Sequence, residues 1–143
     1  MSTTAGEDVV MKTVELRIET GTRVVHDVTG LVREFCAGGG DGLVHVFLPH
    51  ATAGLALMET GSGSESDLED AVARLLPADG RYRHRHGSPG HGRDHVLPAF
   101  VSPSLTLPVV DGRVMLGTWQ SVVVVDPNGD NPVRTLRLSF LAG

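Results

Sequence analysis

The sequence predicts an α+β fold, a single domain built on a mainly antiparallel sheet, and three observations carry that reading. Apolar and polar residues alternate over Val14–Ile18 and again over Val133–Leu141, the period of a half-buried strand. Helical spacing occurs in two segments that fall between strands rather than after each one, unlike a βαβ repeat. Asp111-Gly112 separates two apolar runs and readily supplies the positive φ angles of a type I′ hairpin turn.

Residues 1–10 are small and polar and are expected to form a flexible tail, leaving 11–143 as the domain. The first strand follows from Val14, Leu16 and Ile18 alternating with Glu15, Arg17 and Glu19. A short strand, Arg23–His26, leads to Thr29, an N-cap candidate for a helix with Leu31, Val32 and Phe35 on one face. Gly38-Gly39-Gly40 ends that helix. Leu43–Leu48 is apolar at both parities apart from His45, so it is expected to be central and covered on both faces, with His45 as a satisfied core histidine.

Ala53–Leu57 reads as a further extended segment. Ser64 and Asp67 approximate a capping box, and Leu68, Val72 and Leu75 form the buried face of a second helix that Pro77 stops. Residues 78–95 lack apolar periodicity and hold four of the seven histidines, with a short helix expected to start near His95. A loop of this length in a small domain is usually functional or mobile. Ser104–Val110 and Arg113–Val125 are the arms of the hairpin, Asp126–Pro132 is a turn, and Val133–Leu141 is the last strand.

Composition narrows the function classes. A chain of 143 residues with 41% apolar and 20% charged residues supports one core. Its net charge of −5 repels a phosphate backbone, so no nucleic-acid partner is expected. Residues 1–10 lack the basic and apolar regions of a secretory signal, and no apolar run approaches the roughly 18 residues of a membrane span. A cytoplasmic protein with no membrane partner is expected. The lone Cys36 lies in an apolar stretch and reads as a buried, inert thiol.

Three histidines stand where regular elements meet loops: His50 after the central strand, His84 in the long loop and His95 at its end. Imidazole binds Zn and similar ions, and three protein ligands leave one position open. The gaps of 34 and 11 residues match no local zinc motif, so the spacing leaves both a metal cluster and a solvated polar loop open for this region. Arg81, Arg83, Arg85 and Arg93 share the loop and suit phosphate recognition, or a plain charged surface. Glu59 is a candidate base or ligand. Gly117-Thr118-Trp119-Gln120 places a glycine inside an apolar run, the mark of a bulge or close backbone approach. The chain has no P-loop, dinucleotide fingerprint, nucleophile elbow or Cys-x-x-Cys.

Phe47-Leu48-Pro49-His50-Ala51-Thr52-Ala53, Tyr82-Arg83-His84, His95 and the segment Ser104–Gln120 with its Gly112-Arg113 and Gly117-Thr118-Trp119-Gln120 together resemble the YjbQ family. The resemblance runs from about Met11 to Gly143, and the Gly-Thr-Trp-Gln segment with its upstream Gly-Arg is its specific part. It implies a β-sandwich or barrel-like core with two to three short helices, a homotrimer, and a weak secondary thiamine-phosphate synthase activity. That reaction joins a pyrimidine methyl diphosphate to a thiazole phosphate. The continuous run Val122–Val125, which needs cover on both faces, adds to the expectation of a trimer.

The family's shared histidines match His50, His84 and His95, which implies a common metal site, with Glu59 and Gln120 near it and Arg83 at its rim. His86 and His91 are expected to lie outside it. Where the family has Asn-Glu-Asn and then Asp, this chain has Met58-Glu59-Thr60 and Ser62; where the family has Pro-Asp-Asp, it has Pro89-Gly90-His91. The loss of hard oxygen ligands shifts the expected divalent ion from Mg toward Zn, Ni or Fe, with Zn favoured. Three functions follow: a transferase, in which metal and arginines stabilise the departing diphosphate; a binding protein for a metal or a small phosphorylated ligand; and a metal-assisted hydrolase with Glu59 as base.

Overall fold

The structure, a computed structural model, describes residues 10–143; the expected tail lies outside the described residues except for Val10. Its strands are β1 (Met11–Glu19), β2 (Val25–Asp27), β3 (Gly42–Phe47), β4 (Gly54–Met58), β5 (Ser104–Val110), β6 (Arg113–Val114), β7 (Ser121–Val125) and β8 (Val133–Ala142). Its helices are α1 (Thr29–Cys36), α2 (Ser64–Leu75) and α3 (Leu97–Phe100), and a 3₁₀ turn spans His91–His95. Two antiparallel sheets, ordered β1-β8-β3-β5-β6 and β2-β7-β4, form a half-barrel.

The alternation read in β1 and β8 is the pairing that builds the larger sheet, in register from Met11 opposite Leu141 to Glu19 opposite Val133. β3 is central, between β8 and β5. It is covered on one face only: Val44 and Val46 are buried, whereas Leu43 and His45 are exposed. His45 is therefore no core histidine; its Nδ1 meets Thr106 Oγ1 at 3.1 Å on the outer surface. The strand with two covered faces is β7. Val122 and Val124 join the main core beneath α1, and Val123 and Val125 pack with Val72 of α2 and Leu97 on the other side. The cover that this run needs comes from within the chain, so the run gives no support to a trimer.

The hairpin turns at Asp111 and Gly112, with φ of 52° and 71°, as a type I′ turn requires. Its second arm stops after two residues. The chain then loops through 115–120 and crosses to the other sheet as β7, so Arg113–Val125 is not one strand. Gly117 lies in that crossing, where its N–H donates to Gln120 Oε1 at 2.8 Å.

Helix starts also differ from local expectation. Thr29 is the first helical residue rather than the cap, and its Oγ1 accepts from Val122 N at 2.8 Å, tying α1 to β7. Asp27 Oδ1 accepts from Thr29 N instead. At α2, Gly63 occupies the cap position and Glu65 reaches back to accept from Gly61 N, so Ser64 and Asp67 form no capping box. Leu68 and Val72 face inward, but Leu75 is exposed and Leu76 completes that face. Cys36 is fully buried, and desolvation raises its thiol pKa, in keeping with an inert role.

Candidate metal centre

The site forms where the 78–95 segment folds against the turn between β7 and β8. His91 and His95 lie one turn apart on the 3₁₀ segment, with their Nε2 atoms 2.8 Å apart. His84 returns across them, its ring centroid 3.8 Å from that of His95. Glycines permit this approach: a Cβ on Gly92 would lie 2.6 Å from Tyr82 Cβ, and one on Gly87 would lie 2.7 Å from the His91 ring. The glycine content that reads as looseness in the sequence is what brings the imidazoles together.

One donor atom from each of His84, His91 and His95 falls within 4.8 Å of the others. His84 and His95 thus meet as the resemblance implies, and His91, expected outside the cluster, is its third member. The His91 side chain is 8% exposed, not solvated, while His86 is exposed and its ring lies tilted against that of His84 at a centroid distance of 3.9 Å. His50 stands outside this group of three. Its Nε2 accepts from Thr135 N at 2.9 Å, which pins the β3–β4 connection to the start of β8.

The donors suit a borderline transition metal: three imidazoles and no hard oxygen among them. Two buried nitrogens, His84 Nδ1 and His91 Nδ1, make no hydrogen bond, an arrangement that costs free energy unless a partner is supplied. Burial, chiefly, and the neighbouring imidazoles hold the pKa values of His84 and His95 below the ordinary histidine value, favouring the neutral form that ligates metal.

Carboxylates surround the cluster that sequence reasoning did not single out. Asp130 Oδ2 is 3.2 Å and Asp94 Oδ2 is 3.6 Å from His91 Nδ1. Asp94 is already engaged by Arg93 Nε at 2.6 Å, while Asp130 accepts from Ser88 N and Oγ. Beneath them Arg134, almost fully buried, grips Asp126 with Nε and Nη2 at 2.7 and 2.9 Å and donates to Thr52 Oγ1 at 2.8 Å. The sequence signal for this pair is only that Asp126 and Arg134 flank one turn, which alternation alone does not pair.

A cleft of about 450 Å³ opens beside the cluster, lined by Tyr82, His84, Arg85, His86, Ser88 and His91 among others. Arg81 is held by Asp79, and Arg93 by Asp94 and the Leu76 carbonyl. Arg85 lines the cleft and makes one long bond, 3.5 Å, to the Gly80 carbonyl. Arg83 does not line the cleft. Glu59 and Gln120 adjoin Met58 and Ser121, a facing pair at one end of the smaller sheet. The histidines lie by the other end, where Gly54 faces Val125, about 13 Å of strand away.

The family profile described as UPF0047 protein YjbQ-like matches residues 13–143. A UPF0047 protein of Mycobacterium tuberculosis is 59% identical over 133 residues, which covers 93% of this chain and all of that protein. One from Archaeoglobus fulgidus is 31% identical, over 85% of this chain and 96% of its own length. Among solved structures, a YbjQ-like protein of unknown function from Sulfolobus solfataricus superposes with a TM-score of 0.87 at 19% identity, covering 95% of this chain and 100% of that one, a likeness of fold. A hypothetical protein from Aeropyrum pernix K1 has a TM-score of 0.83 at 31% identity, covering 92% and 99%.

Proposed function

This chain belongs to the YjbQ-like UPF0047 family, and we propose that within it the protein binds a divalent transition metal, Zn favoured, through His84, His91 and His95. The observation that carries this reading is the convergence of three imidazole donors within 4.8 Å, with His84 Nδ1 buried and without a partner. When bound, such an ion supplies Lewis-acid polarisation and positive charge opposite an anionic ligand. The residues around it supply recognition. Arg85 can offer its guanidinium fork to a phosphoryl group, Ser88 and Tyr82 can hydrogen-bond it, and His86 closes the outer side of the cleft.

The ligand class is therefore a small phosphorylated molecule, handled in the cytoplasm. The family resemblance adds a weak thiamine-phosphate synthase transfer as the reaction, with Arg85 holding the diphosphate in the role anticipated for Arg83. Binding without turnover is the second reading. The observation favouring it is the distance of Glu59 and Gln120 from the histidines within one chain, which leaves that pair outside hydrogen-bond reach of a ligand held at the cluster.

Elemental analysis of purified protein tests the metal. About one equivalent in the wild type, lost in His91→Ala and retained in His86→Ala, is the expected result; equal losses in both variants would overturn it. Incubating the metal-loaded protein with a pyrimidine methyl diphosphate and a thiazole phosphate then separates the two readings by product formation. We also propose a homotrimer. Leu75 and Phe100, 79% and 76% exposed, flank an apolar groove between α2 and α3, and Trp119 is 73% exposed elsewhere, surfaces that a partner copy would cover.

A further inference from the structure

We infer that Asp130 is the positioning residue of the metal centre: its carboxylate, 3.2 Å from His91 Nδ1, keeps the ring proton on that nitrogen and so leaves His91 Nε2 free toward His84 and His95. The inference rests on the metal reading above for its purpose, but its geometry is independent of it. His91 is buried and its two nitrogens face different surroundings. Nε2 lies 2.8 Å from His95 Nε2, and Nδ1 faces carboxylate oxygens. A neutral imidazole carries one proton, and a carboxylate facing one nitrogen draws the proton to that side. The Nε2 atom is then the one with a free lone pair.

Two carboxylates compete for that role, and their other partners separate them. Asp94 is the farther, at 3.6 Å, and its charge is matched by Arg93 Nε on its other oxygen. Asp130 is nearer, at 3.2 Å, and among the described residues no lysine or arginine is paired with it. Its Oδ2 is aimed by Ser88 N and Oγ, at 3.0 and 2.9 Å. Its backbone is fixed in turn, since Asp130 N donates to Asn128 Oδ1 and Asn128 N donates to Asp126 Oδ1, the carboxylate that Arg134 grips. A chain of hydrogen bonds thus runs from the buried β7–β8 ion pair to Asp130, whose Oδ2 stands 3.2 Å from the imidazole. Through Ser88 the same carboxylate clasps the loop that carries His84 and His86.

A carboxylate behind a ligating histidine raises its basicity and fixes its orientation, and losing one typically weakens metal binding by roughly 10–100-fold. Such a loss is expected in Asp130→Ala, with Asp130→Asn between it and the wild type, while Asp94→Asn has the smaller effect. The measurement is Zn affinity by competition with a chromogenic chelator, beside ¹⁵N NMR of the histidine side chains in metal-free protein. The spectra should show His91 protonated at Nδ1 in the wild type and a mixture of tautomers in Asp130→Ala, with thermal melting confirming that both are folded. An unchanged His91 tautomer in Asp130→Ala overturns the inference, and so does a shift seen in Asp94→Asn alone. If Asp130→Ala does not fold, the same spectra of Asp130→Asn and Ser88→Ala decide it. If the wild type binds no Zn, the metal reading fails, and the tautomer still tests the role of Asp130.

Discussion

His50 and His91 exchange the places their sequence contexts suggest. His50 spends its Nε2 lone pair on Thr135 N, and burial, followed by the Arg134 charge, lowers its pKa from the ordinary 6.5. The native state therefore resists a proton that the unfolded chain accepts below about pH 6.5, so stability must fall as pH drops through that value and level off below the native pKa. Urea unfolding at pH 7.5 and 5.5 should show this loss in the wild type and a smaller one in His50→Gln, whose amide does not titrate. Equal pH sensitivity would remove His50 as the cause. His91 follows a glycine in a polar loop, and nothing in its neighbours marks it as buried. Its cover comes from Gly87 and Asp130, which only chain reversal brings near.

At the scale of elements, the turn between β7 and β8 is the frame of the site. Its ion pair has a bidentate geometry with both partners buried, and removing one member strands the other without solvent. Arg134→Met should cost about 3–5 kcal/mol in urea unfolding, whereas combining Asp126→Leu with Arg134→Met should recover much of that loss. A loss under about 1 kcal/mol would mean that water reaches the pair. β4 is constrained at its first residue: a Cβ on Gly54 would lie 1.9 Å from the Val101 carbonyl oxygen, between α3 and β5. Gly54→Ala should therefore destabilise the fold by about 1–3 kcal/mol, measured by thermal and urea unfolding, because backbone rather than a flexible side chain must move.

For the whole molecule, the two cores account for the apolar runs without a partner, yet Leu75, Phe100 and Trp119 remain outside them. Light scattering at micromolar concentration should report about three times the 15.1 kDa of one chain, and Phe100→Ser should shift that mass downward. A monomer in the wild type would sink the assembly. Across the described residues no helix is long and apolar enough to cross a membrane.

The order of strands and helices was legible because each rests on local periodicity. Alternation marked β1 and β8, the 3.6-residue spacing marked α1 and α2, and Asp111-Gly112 marked the turn after β5 through the φ angles it tolerates. Sequence resemblance likewise pointed to His84 and His95 as neighbours. Which faces are buried was decided only by the stacking of two sheets, which left β3 half open, closed β7 on both sides and split the hairpin's second arm near Gly117. The remaining members of the site, His91, Asp130 and the Asp126–Arg134 pair beneath them, became visible only in three dimensions. Their contacts join the 78–95 loop to the β7–β8 turn and that turn to β8, and no periodicity encodes a contact between two irregular segments.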